Sequence, residues 1–362
     1  MRIVIITSSL EPGGAQRVIS NLILAWSNCG IESHLILLEK KERFYSIPPS
    51  VPIIEIGRKS NNVFLNKLRV LNAVRKNVKR IRPDVVLSMP EEIGIWIIGA
   101  LLGTGFPVVV SERNNPWKMP YKKVTRLCRK VLYPFAKGYI FQSEKASSFF
   151  SKKIQAKGVV LDNPLDLSKI PDVYHGTRNN AFLFAGRLEE QKNPELLIRG
   201  FSVFNKRVPG YKLLIFGEGS LKNNLAKLIT ELELDENVFL KGLCTDLFKQ
   251  NADAKGFIMT SNYEGVPNSL IEAIASGIPS ISTNFDPAGP KSVFQHESSM
   301  ITIIPKNDCL ALSESLEHLA KMGVNEMDYS VSENVKERFS SKSVSQQWLN
   351  YLVKVSYDCK KK

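Results

Sequence analysis

The stretch SNYEGVPNSLIEAIASGIPSIST, Ser261 to Thr283, decides how the chain is read. It opens as a polar loop, continues as a short apolar helix and ends in a strand. Pro267 and Asn268 suit the start of that helix, because proline's missing N–H is not needed in a first turn. Two carboxylates, Glu264 and Glu272, stand eight positions apart, one in the loop and one further along the helix. Ser269 and Leu270 present first-turn N–H groups between them, a place for a phosphate. A carboxylate accepts hydrogen bonds and donates none, so it suits neighbouring sugar hydroxyls. The stretch reads as acceptors for hydroxyls flanked by donors for phosphates. The plainer reading of Glu272 is a carboxylate that offsets the helix dipole.

On both sides of this stretch, strands alternate with helices. RIVIIT (Arg2–Thr7), HLILLE (His34–Glu39), DVVLS (Asp84–Ser88), PVVVS (Pro107–Ser111) and GYIFQS (Gly138–Ser143) are apolar runs without polar alternation. Such runs are expected in a parallel sheet covered on both faces. Helices between them supply the crossovers. The second half repeats the rhythm with AFLFAG (Ala181–Gly186), KLLIFG (Lys212–Gly217), NVFLKG (Asn237–Gly242), AKGFIMTS (Ala254–Ser261) and SMITIIP (Ser299–Pro305). Asn193 and Pro194 predict a capped helix start. Leu161–Asn180 is rich in Pro, Asp and Asn and reads as a linker. The expected organisation is an α/β chain of two doubly wound, Rossmann-like domains facing across a cleft. They span residues 1–163 and 164–340, followed by a helical tail, 341–362, that carries Trp348 and Leu352 on one spacing and packs back on the first domain.

A chain of 362 residues fits two domains at roughly 100–200 residues each. The 49 Lys and Arg exceed the 35 Asp and Glu by a formal +14, which favours an anionic partner. VRKNVKRIR (Val74–Arg82) and WKMPYKKVTRLCRK (Trp117–Lys130) concentrate basic residues among apolar spacers. They read as solvated helix faces or as a surface for anionic lipid. No nucleic-acid module signature is present, so nucleic acid is not the expected partner. The five cysteines form no CxxC pair, which points to a reducing compartment without a disulfide frame or zinc site. The opening MRIVIITSS is too short and strand-like for a signal peptide. Ile93–Val110 is uncharged, but GTGFP (Gly103–Pro107) interrupts it, so it reads as a buried helix and a buried strand rather than a membrane span.

In open parallel sheets, ligands bind beyond the carboxyl ends of the strands. Gly13 and Gly14 follow the first strand and precede a helix, either as an anion-binding turn or as a plain tight turn. GRLEEQKN follows the first strand of the second half, and its Arg187 and Lys192 suit a diphosphate or are two surface charges. Gly217 and Glu218 of EGS follow the next strand.

Together these segments resemble the retaining nucleotide-sugar glycosyltransferases of family four, which have the GT-B fold. The resemblance runs over nearly the whole chain. It rests on EGVPNSLIE with the following AIASGIPSIST, on FAGRLEEQKNPELLIRGF, on IFGEGSLKNNL and on the N-terminal GGAQRV, in that order. RPDVVLS adds to it. The resemblance implies that Arg187 and Lys192 neutralise the donor diphosphate, that Glu272 holds the ribose and that Glu264 contacts the donor sugar. Glu264, Arg187 and Lys192 are thereby the catalytic set. Gly217, Glu218, Gly265, Val266, Pro267, Asn268, Ser269 and Leu270 complete the donor site, and Gly13 and Gly14 let the first domain's loop close over it. UDP is the preferred nucleotide and GDP the second. No metal or cofactor is expected, and the chain has no D-x-D motif. Catalysis would be front-face substitution with retention, mostly by positioning and charge stabilisation. The acceptor would be a glycan, polyprenyl-diphosphate-linked or soluble. The enzyme would sit on the anionic inner face of the cell membrane.

The chain departs from that pattern in two places. Many relatives carry a histidine after the strand that here reads VVVSERNNP; Glu112, Arg113 and Asn114 stand there and are assigned to the acceptor side. In DPAGPKSVF (Asp286–Phe294), Ser292 replaces the glutamate of a GPxEIL-like stretch. Two other functions stay open. A nucleotide-sugar epimerase shares the fold, although the two spaced glutamates argue against it. A non-catalytic basic surface binder would leave both glutamates unexplained.

Overall fold

The computed structural model describes residues 1–58, 61–285, 287, 289–290, 294, 300–323 and 329–361. They form two compact units, Met1–Pro164 with Phe339–Lys362, and Leu165–Arg338.

The first unit holds β1 (Arg2–Thr7), β2 (Glu32–Leu37), β3 (Ile53–Glu55), β4 (Val85–Ser88), β5 (Val108–Ser111), β6 (Gly138–Phe141) and β7 (Gly158–Val160). They lie parallel in the order β3-β2-β1-β4-β5-β6-β7. Alternate residues of a strand face opposite sides. Ile3, Ile5, Val85 and Leu87 therefore pack with Trp26 of helix Gly14–Asn28 and Trp348 of helix Ser341–Lys360. Val4, Ile6, Val86 and Val110 pack on the other side with Val74, Val78, Ile95 and Ile98 of helices Val63–Ile81 and Glu91–Leu101. Trp348 and Leu352 are fully buried, and the Trp348 indole donates to the Asp162 carbonyl at 3.0 Å.

The second unit holds β8 (Ala181–Ala185), β9 (Lys212–Phe216), β10 (Val238–Gly242), β11 (Gly256–Met259), β12 (Ser280–Thr283) and β13 (Ile301–Ile304). Their parallel order is β10-β9-β8-β11-β12-β13. Its core joins Phe182, Phe184 and Ile215 to Phe201 and Phe204 of helix Pro194–Arg207. Each sheet reverses its strand order once, between β1 and β4 and between β8 and β11. Ligands of open α/β sheets bind at such switch points.

Several elements differ from the sequence expectation. β3 and β7 are three-residue outer strands, half-buried, whose sequence lacks a long apolar run. The basic segment begins its helix at Lys123, not Trp117, because the Asn115 side chain accepts the N–H groups of Trp117 and Lys118 and makes a turn there. The tail is the helix Ser341–Lys360, capped by Ser340 through the Ser343 N–H, and a further helix, Ser330–Arg338, precedes it. Ile93–Val110, by contrast, is as expected: most of helix Glu91–Leu101 followed by β5. Among the described residues no helix is long and apolar enough to cross a membrane.

Candidate functional site

The switch point of the second unit is built by the loops after β8 and β11. The loop after β8 runs from Gly186 to Asn193. Asn193 takes a left-handed conformation, φ 46°, and its side chain accepts the Leu196 N–H at 3.3 Å, so that Pro194 opens the next helix. Thr260, at the end of β11, donates to the carbonyls of Lys192 and Asn193 at 3.0 and 2.9 Å. The Asn262 amide and side chain donate to the Gln191 and Glu190 carbonyls, both at 2.8 Å. These bonds fasten one loop to the other.

The consequence is an ion pair between residues far apart in sequence. Lys192 Nζ lies 2.7 Å from Glu264 Oε1, with the two side chains only 14% and 11% exposed. Ser261 Oγ donates to the same oxygen at 2.8 Å. Gln191 Nε2 donates to the Tyr263 carbonyl at 3.0 Å and to Glu264 Oε2 at 3.4 Å. Arg187 is exposed and donates to Gln191 Oε1 at 2.9 Å. Arg187, Gln191, Glu264 and Lys192 thus form one hydrogen-bonded chain. Among the described residues, Oε2 takes only the long bond from Gln191, which leaves it acceptor capacity for a hydroxyl.

Beside this chain, the loop after β9 lies on the loop after β8. A Cβ on Gly217, whose φ is 146°, would stand 1.9 Å from the Gly186 carbonyl oxygen. One on Gly219 would stand 2.4 Å from that of Leu188. Only glycine permits this approach. Glu218 pairs with Lys222 at 2.8 Å in an exposed bridge. Glu189 accepts the Ser220 N–H and hydroxyl, which hold its carboxyl below the usual range.

The opening helix runs Asn268–Ala275, with Pro267 at its N-cap and no side chain capping it. Gly265, Val266, Pro267 and Leu270 are buried; Asn268, Ser269 and Glu272 are half-buried. Leu270 is fully enclosed, and its N–H already donates to the Pro267 carbonyl at 3.1 Å. Ser292 and most of Asp286–Phe294 lie outside the described residues; Pro287 bridges Glu264 as a single parallel pairing.

In the first unit, Gly13 precedes helix Gly14–Asn28, and its N–H donates to the Tyr45 hydroxyl at 3.3 Å. Its φ of 177° is ordinary extended backbone, so the conformation does not require glycine there. Glu112 follows β5 but is 1% exposed, and the Tyr133 hydroxyl donates to its Oε1. As placed, it presents no surface to an acceptor. Burial, and secondarily the charge of Glu91, push its carboxyl up to about 8. Glu91 is buried too; burial also raises its carboxyl, although its Oε2 accepts the Arg113 N–H at 3.0 Å. The Arg113 side chain bonds the Asn163 side chain, and burial lowers its guanidinium to about 10. Asn114 is half-buried and accepts the Asn115 N–H at 3.2 Å.

Gln191, Ser261 and Thr260 were missed in the sequence reading. A glutamine between two cations, and two hydroxyls at the end of β11, were the available signals. The partners of Gln191 and Thr260 lie about seventy positions away, which no local pattern records, whereas Ser261 bonds Glu264 nearby in the same loop.

Known proteins match both units. The profile described as Glycosyltransferase Family 4 matches residues 12–169, and that described as Glycosyl transferases group 1 matches residues 169–338. A Campylobacter jejuni N-acetylgalactosamine-N,N'-diacetylbacillosaminyl-diphospho-undecaprenol 4-alpha-N-acetylgalactosaminyltransferase is 30% identical, over 79% of this chain and 81% of its own length. A second enzyme of that organism, a GalNAc-alpha-(1->4)-GalNAc-alpha-(1->3)-diNAcBac-PP-undecaprenol alpha-1,4-N-acetyl-D-galactosaminyltransferase, is 24% identical over 98% of this chain and 99% of its own. Among solved structures, Anabaena Alr3699/HepE in complex with UDP-glucose superposes with a TM-score of 0.82 at 15% identity, covering 98% of this chain and all of that one.

Proposed function

Because the chain belongs to glycosyltransferase family four and has the two-domain GT-B fold, we propose that it moves a hexose or N-acetylhexosamine from a nucleotide-diphosphate sugar to a glycan, with retention and without a metal. The observation that carries this reading is the Lys192–Glu264 pair, with Gln191 and Arg187, at the switch point between β8 and β11. A diphosphate arriving there finds Arg187 and Lys192 as counter-charges, and the start of helix Asn268–Ala275 as a set of N–H donors. Glu264 Oε2 accepts a hydroxyl of the sugar, and Glu272 accepts the ribose hydroxyls.

The reaction breaks the bond between the sugar C1 and the β-phosphate oxygen and forms a bond from C1 to the acceptor oxygen on the same face. The acceptor proton passes to the leaving phosphate oxygen. The protein supplies no nucleophile; it holds the reactants in place and neutralises the charge that grows on the diphosphate. UDP is the assigned nucleotide, with GDP second. The relatives that act on undecaprenol-linked glycans support a polyprenyl-diphosphate-linked acceptor, and with it a place at the inner face of the cell membrane.

A thermal-shift panel with UDP, GDP, ADP and CMP, run with and without EDTA, tests the donor. The expected result is a rise with UDP alone that EDTA does not change. A rise with GDP alone would move the donor class, and a rise that EDTA removes would overturn the metal-free reading. Transfer of labelled sugar from the matching donor to a polyprenyl-diphosphate-linked glycan tests the reaction, and hydrolysis without transfer would overturn it.

A further inference from the structure

The net charge of +14 has one location. Residues 61–82 hold seven Lys and Arg, residues 114–137 hold seven more, and neither stretch contains an Asp or Glu. The remaining 35 basic residues match the 35 acidic ones in number. Both stretches are mostly helical, Val63–Ile81 and Lys123–Leu132, and both pack against helix Glu91–Leu101. Lys67 lies over the Trp96 ring of that helix, 2.9 Å from its centroid, and burial lowers its ammonium. The start of helix Val63–Ile81 therefore lies beside helix Glu91–Leu101, which helix Lys123–Leu132 flanks as well.

Helix Lys123–Leu132 is built inside out. Its only buried residue is Arg129, which donates to the Met119 and Pro116 carbonyls, both at 2.9 Å, and lies over the Phe149 ring. Its apolar residues face outward instead: Val124 is 70%, Leu127 63% and Val131 57% exposed. Their spacing, i, i+3 and i+7, puts them on one stripe. Val63, Phe64, Leu65 and Leu68 are likewise more than half exposed. A folded chain does not leave so many large apolar side chains in water on neighbouring helices without a partner for them. Basic residues among the apolar ones, with no acid present, are complementary to an anionic bilayer.

We infer that this face docks on an anionic lipid bilayer, with Phe64, Leu68, Val124, Leu127 and Val131 entering the acyl boundary while the surrounding Lys and Arg hold lipid phosphates. The inference rests on the membrane location given under the proposed function, and it adds the surface and the apolar insertion. A purely electrostatic attachment would need only the charges, and the exposed stripe would then have no use.

Vesicle flotation tests it, with phosphatidylcholine alone or mixed with phosphatidylglycerol, at low and high salt. The full chain is expected to float with the anionic vesicles only, and partly to resist salt. Lys122→Glu with Lys123→Glu should lower the bound fraction at low salt. Leu127→Ser with Val131→Ser should weaken binding about tenfold or more and make the remainder fully salt-sensitive. Flotation of that apolar variant equal to wild type at every salt would overturn the insertion. Failure of the wild type to float would overturn the docking. A concentration-dependent rise in sedimenting mass, lost in the apolar variant, would assign the face to a second copy of the chain and also overturn it. Stabilisation by UDP and turnover of a short soluble acceptor should be unchanged in both variants. Their absence from a wild type that still floats would sink the glycosyltransfer reading and leave the docking intact.

Discussion

Carboxylates stand at the carboxyl ends of parallel strands in both units, and the two units treat them in opposite ways. In the second unit Glu264, after β11, meets Lys192 at 2.7 Å and takes further hydrogen bonds from Ser261 and Gln191. In the first unit Glu91, after β4, and Glu112, after β5, are buried within reach of one another's charge. Tyr133 donates to one Glu112 oxygen, and the other has no hydrogen-bond partner among the described residues. An adjacent cation favours the charged form of a carboxylate, whereas burial beside a second carboxylate favours the neutral one. One doubly wound sheet therefore ends in a carboxylate paired with a cation, and the other ends in two carboxyls that burial pushes toward the protonated form. Position at a strand end does not fix the role of an acid; the group that faces it does.

The largest expected effect separates the two sites by activity. Glu264→Ala should lower turnover by about 100-fold to 1,000-fold, the usual loss when a positioned transition-state contact is removed. UDP affinity should stay within a few-fold, because the other donor contacts remain. Steady-state rates with titration calorimetry would check this, and unchanged turnover would reduce Glu264 to a structural partner of Lys192. Lys192→Met should cost about 3 kcal/mol or more in urea unfolding, since it strands a largely buried carboxylate. The double variant Lys192→Met with Glu264→Gln should regain much of that stability and none of the turnover. A double variant no more stable than Lys192→Met alone would show that packing of the lysine stem, not the ion pair, is what was lost.

Much of this contrast could be read in the sequence, but not its central contact. The apolar runs mark the strands of both sheets except β3 and β7, and GRLEEQKN and NYEGVPNSLIE mark the two loops that meet after β8 and β11. Lys192 and Glu264 were both assigned there, yet to separate parts of the ligand. Their mutual pairing depends on β11 lying next to β8, and strand order is a long-range property. Glu112 is assigned to the acceptor side because it follows the strand after which many relatives carry a histidine. Its burial follows from the rings of Tyr133, Tyr139 and Phe150, which pack together only after the chain has folded. Helix Lys123–Leu132 was legible as basic. That its one buried residue is the arginine was not, because periodicity gives a stripe but not the direction in which it points.

A smaller effect is expected at the second glutamate of the opening stretch. Glu272→Ala should weaken UDP binding by about 1–3 kcal/mol, the range for hydrogen bonds to a charged group, and should change turnover at saturating donor far less than Glu264→Ala does. Equal UDP affinity in calorimetry would remove the ribose from Glu272. It would also leave the Lys192–Glu264 chain as the only part of the stretch with a ligand role.

The smallest effect per step belongs to the proton-holding site, and its sign is set by the direction of the shift. Burial raises the Glu112 carboxyl from 4.5 to about 8, so the folded chain keeps a proton that the unfolded chain releases at lower pH. The stability this contributes is fully present below about pH 4.5 and is lost as pH rises toward about 8, by up to about 1.4 kcal/mol per pH unit. Unfolding in urea across that window should show stability falling with pH. Glu112→Gln keeps the shape and the acceptor for Tyr133 but cannot ionise, so it should flatten the slope. A slope unchanged in Glu112→Gln and absent in Glu91→Gln would place the proton on Glu91 instead. The contrast between the units would then survive, with its two carboxylates exchanged. A slope unchanged in both variants would mean that the first unit holds no such proton, and the contrast would fall.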